Sequence, residues 1–161
     1  MPALVRRATK TDAAAIAKLA LALFELHVEW DERRFTQIGT IEGATRYYGE
    51  RAEADNAAVF VAEDGGQIVG FAYMEYEPLL YEQLATDAAL LHDLYVEPDA
   101  RRSHTASNLL AAVEAEAKRL GANKVLLSVA LKNMGGQKLF EQYGFRTTML
   151  EMMLEIDKNN G

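Results

Sequence analysis

The chain has 161 residues, half of them hydrophobic, no cysteine and a net charge of −7. That length suits one domain, residues 1–161, around one sizeable core; the acidic balance argues against a nucleic-acid partner, which would need a basic face. Without cysteine there are no disulfides, thiol nucleophiles or Cys-based metal sites, and no metal is expected.

No apolar run approaches the roughly 20 residues of a membrane span. The start "MPALVRRATK" carries charge where a secretory leader has its apolar stretch, so a cytoplasmic protein with no membrane partner is expected. In chain order, "ALVRRAT" reads as a first strand. Thr11 is placed to cap a helix over "DAAAIAKLALALFEL", whose Ile16, Leu19, Ala20 and Leu23 share one face. A second helix is expected from about Thr40 to Ala54. "NAAVFVAEDGGQIVGFAYMEYE" is a hairpin turning at Asp64, Gly65 and Gly66. Residues 78–88 read as a loop opened by Pro78, and "AALLHDLYVEP" as the next strand. A helix from about Thr105 to Leu120 should stop at Gly121. It is followed by a strand "KVLLSVA", a short helix ended by Gly144 and a last strand "RTTMLEMMLEI". The order βααβββαβαβ implies an α/β fold, a mixed sheet with helices on both sides.

One junction carries chemistry. In "YVEPDARRSHTASNLL" a strand ends at Pro98, an arginine-rich turn follows and a helix begins. A helix start presents unpaired N–H groups and the positive end of the helix dipole, which makes it a natural anion site. The amides from Arg102 to Ser107 are the candidates, with Arg101 and Arg102 supplying charge.

The order of elements, this junction and the ending "LFEQYGF" resemble the GCN5-related N-acetyltransferases (GNAT), from Val5 to about Ile156. The family's central motif is Arg or Gln, two residues, Gly, one residue, then Gly or Ala. Here Arg101, Arg102, Ser103, His104, Thr105 and Ala106 occupy it, so His104 stands where the family has Gly. A negative φ, as in a first helical turn, would accommodate that histidine. The resemblance implies acetyl-CoA as cofactor, with its pyrophosphate on residues 101–107. Its pantetheine arm would lie as an extra strand on Leu94, Tyr95 and Val96, where strands 89–96 and 124–130 splay apart. Asn133, with Gly136 nearby, falls at a family position beside the cofactor, although a helix cap explains it equally well. Phe140 stands where the family usually has a Tyr that meets the departing thiolate, and Tyr143 lies three residues on.

Within the family the strand Leu91, His92, Asp93, Leu94, Tyr95, Val96 is closest to the diamine acetyltransferase type, which has Glu at the His92 position. Attack on a thioester requires a neutral amine, so a base must take its proton. His92 is suited to that because imidazole is the side chain that exchanges a proton near neutral pH; packing in the sheet is the alternative reading, and strand alternation turns Asp93 to the opposite face as a structural residue. Glu75 and Glu77 share a strand face, and His27 ends the first helix near the same mouth. With His92 they form the expected substrate side, which favours a cationic amine. The expected activity is acetyl transfer to a small polyamine-like or amino-acid-like amine. An acyl-CoA-binding module with little turnover, or transfer to a protein amine, are the alternatives; a homodimer is common in the family.

Overall fold

The computed structural model describes residues 2–101 and 103–156. Its elements in chain order are β1 (Leu4–Arg7), α1 (Ala13–Trp30), α2 (Ile41–Glu53), β2 (Ala57–Asp64), β3 (Gln67–Leu80), β4 (Ala85–Val96), α3 (Thr105–Leu120), β5 (Lys124–Leu126) and α4 (Met134–Tyr143). The five strands form one sheet in sequence order. The first three pairings are antiparallel, and β5 joins β4 in parallel.

The sheet is buried on both faces. Ala58, Phe60, Ala72, Met74, Leu91 and Val96 meet Leu109, Leu110 and Val113 of α3 on one side, with Phe140 and Tyr143 of α4 packed against the same cluster. On the other side Val59, Val61, Phe71 and Tyr73 meet Ile16, Leu19 and Ala20 of α1 and Tyr48 of α2. Strand alternation therefore sends Phe71 and Tyr73 of β3 toward α1 and α2, and Ala72 and Met74 toward α3. The β2–β3 turn is tight because Gly65 and Gly66 both take positive φ, at 57° and 81°, which suits the twist of a two-residue hairpin.

Four expectations are corrected. α1 is capped at Asp12 rather than Thr11, behind a 3-10 turn over Lys10–Asp12. The Asp12 carboxylate accepts the Thr9 N–H at 2.8 Å and both ends of the Arg6 guanidinium at 2.8 and 2.9 Å. Residues 78–88 are mostly strand, since β3 and β4 pair out to Leu80 and Ala85 around a 3-10 turn over Tyr81–Gln83. Pro78 is tolerated because β2 has already ended its pairing at Glu75, so no neighbour on that side needs its missing N–H. The strand expected over 124–130 keeps only Lys124–Leu126. The last expected strand does not form: residues 145–156 lie in no helix or strand.

Candidate active site

β4 and β5 are paired only from Ala88 to Leu90 and from Lys124 to Leu126. Beyond Leu90, β4 runs on to Val96 along β3 with no described strand on its other side, so Leu94, Tyr95 and Val96 lie where the sheet has opened. An open strand edge offers main-chain N–H and C=O groups to an extended, amide-rich ligand.

His92 sits at the start of this opening, on a bulge. β3 and β4 shift register between Tyr73↔Asp93 and Met74↔Leu91, which leaves His92 without a partner across the ladder. A bulge breaks strand alternation and re-aims the side chains beside it. Leu91 and Leu94 thus both belong to the α3 side, although an uninterrupted strand would send them to opposite faces. The same bulge corrects the reading of Asp93. His92 stacks on the Tyr73 ring, 5.1 Å between centroids, and Asp93 accepts a 2.7 Å hydrogen bond from the Tyr48 hydroxyl, so both point toward α2.

Around His92 the polar groups form a connected set. Its Nε2 lies 3.8 Å from Oε2 of Glu75, and its side chain is 38% exposed. Glu75 also holds Arg51 Nη2 at 3.1 Å and accepts the Tyr73 hydroxyl, which in turn meets the Tyr47 hydroxyl at 3.0 Å. Arg51 is drawn in at a cost, for its Nε–H is buried without an acceptor among the described residues. Burial pushes the Asp93 carboxyl above the ordinary carboxylate range, against the opposing pull of the Tyr48 hydrogen bond and of the nearby His92 and His27. Burial likewise raises Tyr48 and Tyr73, so both stay protonated donors.

The structure brings together His92 and Glu75, with Glu77 two residues further along the same face of β3. β3 is a central strand rather than an edge. His27 is near enough to act on Asp93, while its Nδ1 is 2.8 Å from the Leu23 carbonyl oxygen and its ring packs between Trp30 and Phe35. Tyr73 and Arg51 were not singled out from sequence. The alternation Tyr73, Glu75, Glu77 carried a signal for the first, whereas nothing local marks Arg51 as the partner of Glu75.

At the far end of the opening, a 3-10 turn over Pro98–Ala100 leads to α3. Arg101 donates from Nε to the Val96 carbonyl at 2.8 Å and lies over the Tyr95 ring, fastening the turn to the strand end. Arg101 also borders a groove, with Tyr95 and Pro98 beside it and Ala22, Glu25, Leu26 and Glu29 of α1 completing the lining. Arg102 lies outside the described residues. Ser103 bonds the Ala100 carbonyl at 3.1 Å and shares a 2.7 Å hydrogen bond with Thr105.

His104 is the N-cap of α3, with φ 60° and ψ 14° and no side-chain capping bond. The expected negative φ is wrong. The chain needs a left-handed residue here to enter the helix, which is the physical reason for Gly in the family motif, and His104 bears the Cβ strain. Ser107 Oγ donates to the His104 carbonyl at 3.1 Å, and Asn108 N–H donates to the same oxygen at 2.9 Å. The amides of Thr105, Ala106 and Ser107 are first-turn donors with no acceptor within the helix. This uncapped end fits a diphosphate, and the opened β4 edge fits the arm of a coenzyme A.

On α4, the Asn133 side chain caps the helix by accepting the Gly136 N–H at 2.9 Å. A Cβ on Gly136 would lie 2.5–2.9 Å from that side chain, so the cap itself requires Gly there. Phe140 packs edge-on against Phe145, 5.7 Å between centroids. The Tyr143 hydroxyl donates to Glu114 at 2.7 Å, and burial together with that bond pushes its pKa up to about 12. It is thereby committed to α3.

The sequence profile of the acetyltransferase (GNAT) family matches residues 21–145. The chain belongs to this family. A Bacillus subtilis relative described as the uncharacterized N-acetyltransferase YhfO is 29% identical over 141 residues, covering 88% of each chain. The fold is shared with the aminoglycoside N-acetyltransferase AAC(6')-Iy solved in complex with CoA, with TM-score 0.78, 21% identity and coverage of 94% and 93% of the two chains. It is also shared with the BH1408 protein of Bacillus halodurans, solved in a mutant form, with TM-score 0.81, 19% identity and coverage of 95% and 99%. This GNAT protein is an acetyl-CoA-dependent N-acetyltransferase with the five-stranded, two-sided fold just described.

Proposed function

We propose that this GNAT enzyme acetylates a primary amine of a small cationic molecule, polyamine-like or amino-acid-like, with His92 as the base. The observation that supports the reading is the bulge beside which β4 and β5 part: it sets a part-exposed imidazole against Tyr73, with Glu75 at 3.8 Å. An alkylammonium has a pKa near 10, so at neutral pH a proton must leave before nitrogen can attack. Nε2 of His92 takes it, directly or through a water, and Glu75 at 3.8 Å stabilises the imidazolium formed. Tyr73 and Arg51 fix the Glu75 carboxylate, and stacking on Tyr73 fixes the imidazole plane.

Acetyl-CoA supplies the activated acyl group. Thr105, Ala106 and Ser107 would hold its pyrophosphate through their amides with Arg101 beside them, and Leu94, Tyr95 and Val96 would hold its arm. Phe140 offers no proton to the leaving sulfur, and a thiol of pKa near 8.5 departs adequately as thiolate. A cationic acceptor is supported by the carboxylates of Glu75 and Glu77 on one face of β3, the first of them beside His92, and by a fold relative named as an aminoglycoside N-acetyltransferase. The likeness of residues 91–96 to the diamine acetyltransferase type points the same way.

The test is steady-state CoA release with acetyl-CoA and a panel of polyamines, amino acids and aminoglycosides. Turnover with a small amine is the expected result. Acetyl-CoA binding with no CoA release from any of them would overturn the proposal in favour of a binding module.

A further inference from the structure

Glu75 stands between two unlike groups. Its Oε1 holds Nη2 of Arg51 at 3.1 Å, and its Oε2 lies 3.8 Å from Nε2 of His92. The charge of this carboxylate is therefore matched already by a guanidinium, and the Tyr73 hydroxyl donates to it as well. A polyamine would meet little surplus negative charge beside His92, because the nearby cation offsets the attraction.

Arg51 itself has unused donors. Besides Glu75 it reaches only the Asn56 side chain, from Nη2 at a long 3.4 Å. Its Nη1 makes no hydrogen bond or ion pair among the described residues and, unlike the buried Nε, is open to solvent. A guanidinium keeps its charge at any ordinary pH and presents its N–H groups in a planar fork that matches a carboxylate. Arg51 comes from α2, on the side of the sheet where His92 stacks on Tyr73. Across one carboxylate the site thus offers a base that can take a proton from an amine and a cation with a free donor.

We propose, resting on the reading of His92 as the base, that the acceptor is an α-amino acid acetylated on its α-amino group, with its own carboxylate on Nη1 of Arg51. In such a molecule the nitrogen and the carboxylate oxygens stand about 3 Å apart. With a hydrogen bond of about 3 Å at each end, that span bridges groups held on the two oxygens of one carboxylate. Once His92 has the proton, the nitrogen attacks the acetyl carbonyl carbon; the C–N bond forms, the C–S bond breaks and its electron pair leaves on the CoA sulfur. Arg51 touches none of the reacting atoms, and its part is to select and orient the acceptor. Glu77, about 7 Å further along the same face of β3, is paired with no arginine or lysine among the described residues. Its free charge favours a cationic side chain, so the class is the basic amino acids.

The test compares lysine and arginine with their carboxamides and with the decarboxylated amines cadaverine and agmatine, by CoA release from acetyl-CoA and mass spectrometry of the product. For at least one of the two amino acids, kcat/KM should exceed that of both analogues by about tenfold or more, on the order of one charge-assisted hydrogen bond, with acetyl on the α-nitrogen. This comparison needs no variant. In Arg51→Gln the amino acid and its carboxamide should converge, and Arg51→Lys should restore part of the difference; an arginine that only held Glu75 in place would lower both and leave their ratio as in wild type. Equal or better use of the carboxamides or decarboxylated amines, acetylation of the side-chain nitrogen, or an unchanged ratio in Arg51→Gln would each overturn the proposal while leaving His92 as the base. Should none of these compounds turn over, the acetyl-transfer reading fails separately, and calorimetric titration of the CoA-bound enzyme decides the acceptor. Tighter binding of the amino acid than of its carboxamide, lost in Arg51→Gln, is the expected result, and equal binding would overturn the proposal.

Discussion

Glu116 and Asp93 are both carboxylates drawn into the protein, one on each face of the sheet, and they are treated oppositely. Glu116, on the inner side of α3, accepts Arg7 at 2.9 Å and Arg119 at 2.7 Å, and the hydrogen bond from Arg119 above all holds its pKa down to about 2. Asp93, on the α1 and α2 side, has a tyrosine hydroxyl instead of an arginine, and burial holds its pKa up. The surroundings differ in the same sense: the α3 side is aliphatic, with Leu109, Leu110, Val113, Met74 and Leu91, whereas Tyr48, Tyr73, His92 and Glu75 meet on the other. One face is built for cohesion. The other gives up part of that cohesion to hold titratable groups around the β4 bulge.

Substitutions should separate the two. The largest effect on stability is expected from Leu109→Ala, which empties a fully buried site on the aliphatic face; a loss of about 3 kcal/mol by urea denaturation, with the amine KM unchanged, is the expected result. Glu116→Gln should cost about 2 kcal/mol at pH 7. Because the folded pKa of Glu116 lies below its ordinary 4.5, that contribution is complete above about pH 5 and disappears as pH falls toward 2. Wild type and Glu116→Gln should therefore converge in denaturation midpoint at acid pH. Asp93 works with the opposite sign, since protonation on acidification relieves a penalty. A smaller effect is expected at His104, where Gly would release the strain of a φ of 60° while loosening the unfolded chain. His104→Gly should gain up to about 1 kcal/mol with acetyl-CoA affinity equal or tighter; a tenfold weaker Kd would make His104 itself a phosphate ligand. The smallest change is expected for Phe140→Tyr, which adds a donor to a step that is not limiting and should alter kcat by less than about tenfold.

Periodicity and turn chemistry made most of the fold legible. The glycines at 65, 66, 121 and 144 all stand at turns or helix ends with positive φ, as their positions implied. The turn and the start of α3 could be read because an arginine-rich turn before an amphipathic helix is a local signal. What could not be read was longer in range. The bulge at His92 is a property of two strands in register, and strict alternation along β4 sent Asp93 to the wrong face. Pro78 looked like a strand breaker because its neighbour's absence is visible only in the sheet. The left-handed His104 contradicts residue preference outright, as happens where geometry is imposed by a site. Residues 146–156 read as a strand, yet they form none among the described residues.

The central claim is that the bulged His92 takes the proton from the amine. It is tested most directly by kcat/KM against pH for wild type and His92→Ala, with the best amine of the panel and with acetyl-CoA affinity measured in parallel. A loss of roughly a hundredfold at pH 7.5 with the cofactor Kd unchanged, together with loss of the acidic limb of the wild-type profile, is the predicted result. Equal rates for the two proteins from pH 6 to 9 would contradict it and leave His92 as a packing residue on Tyr73.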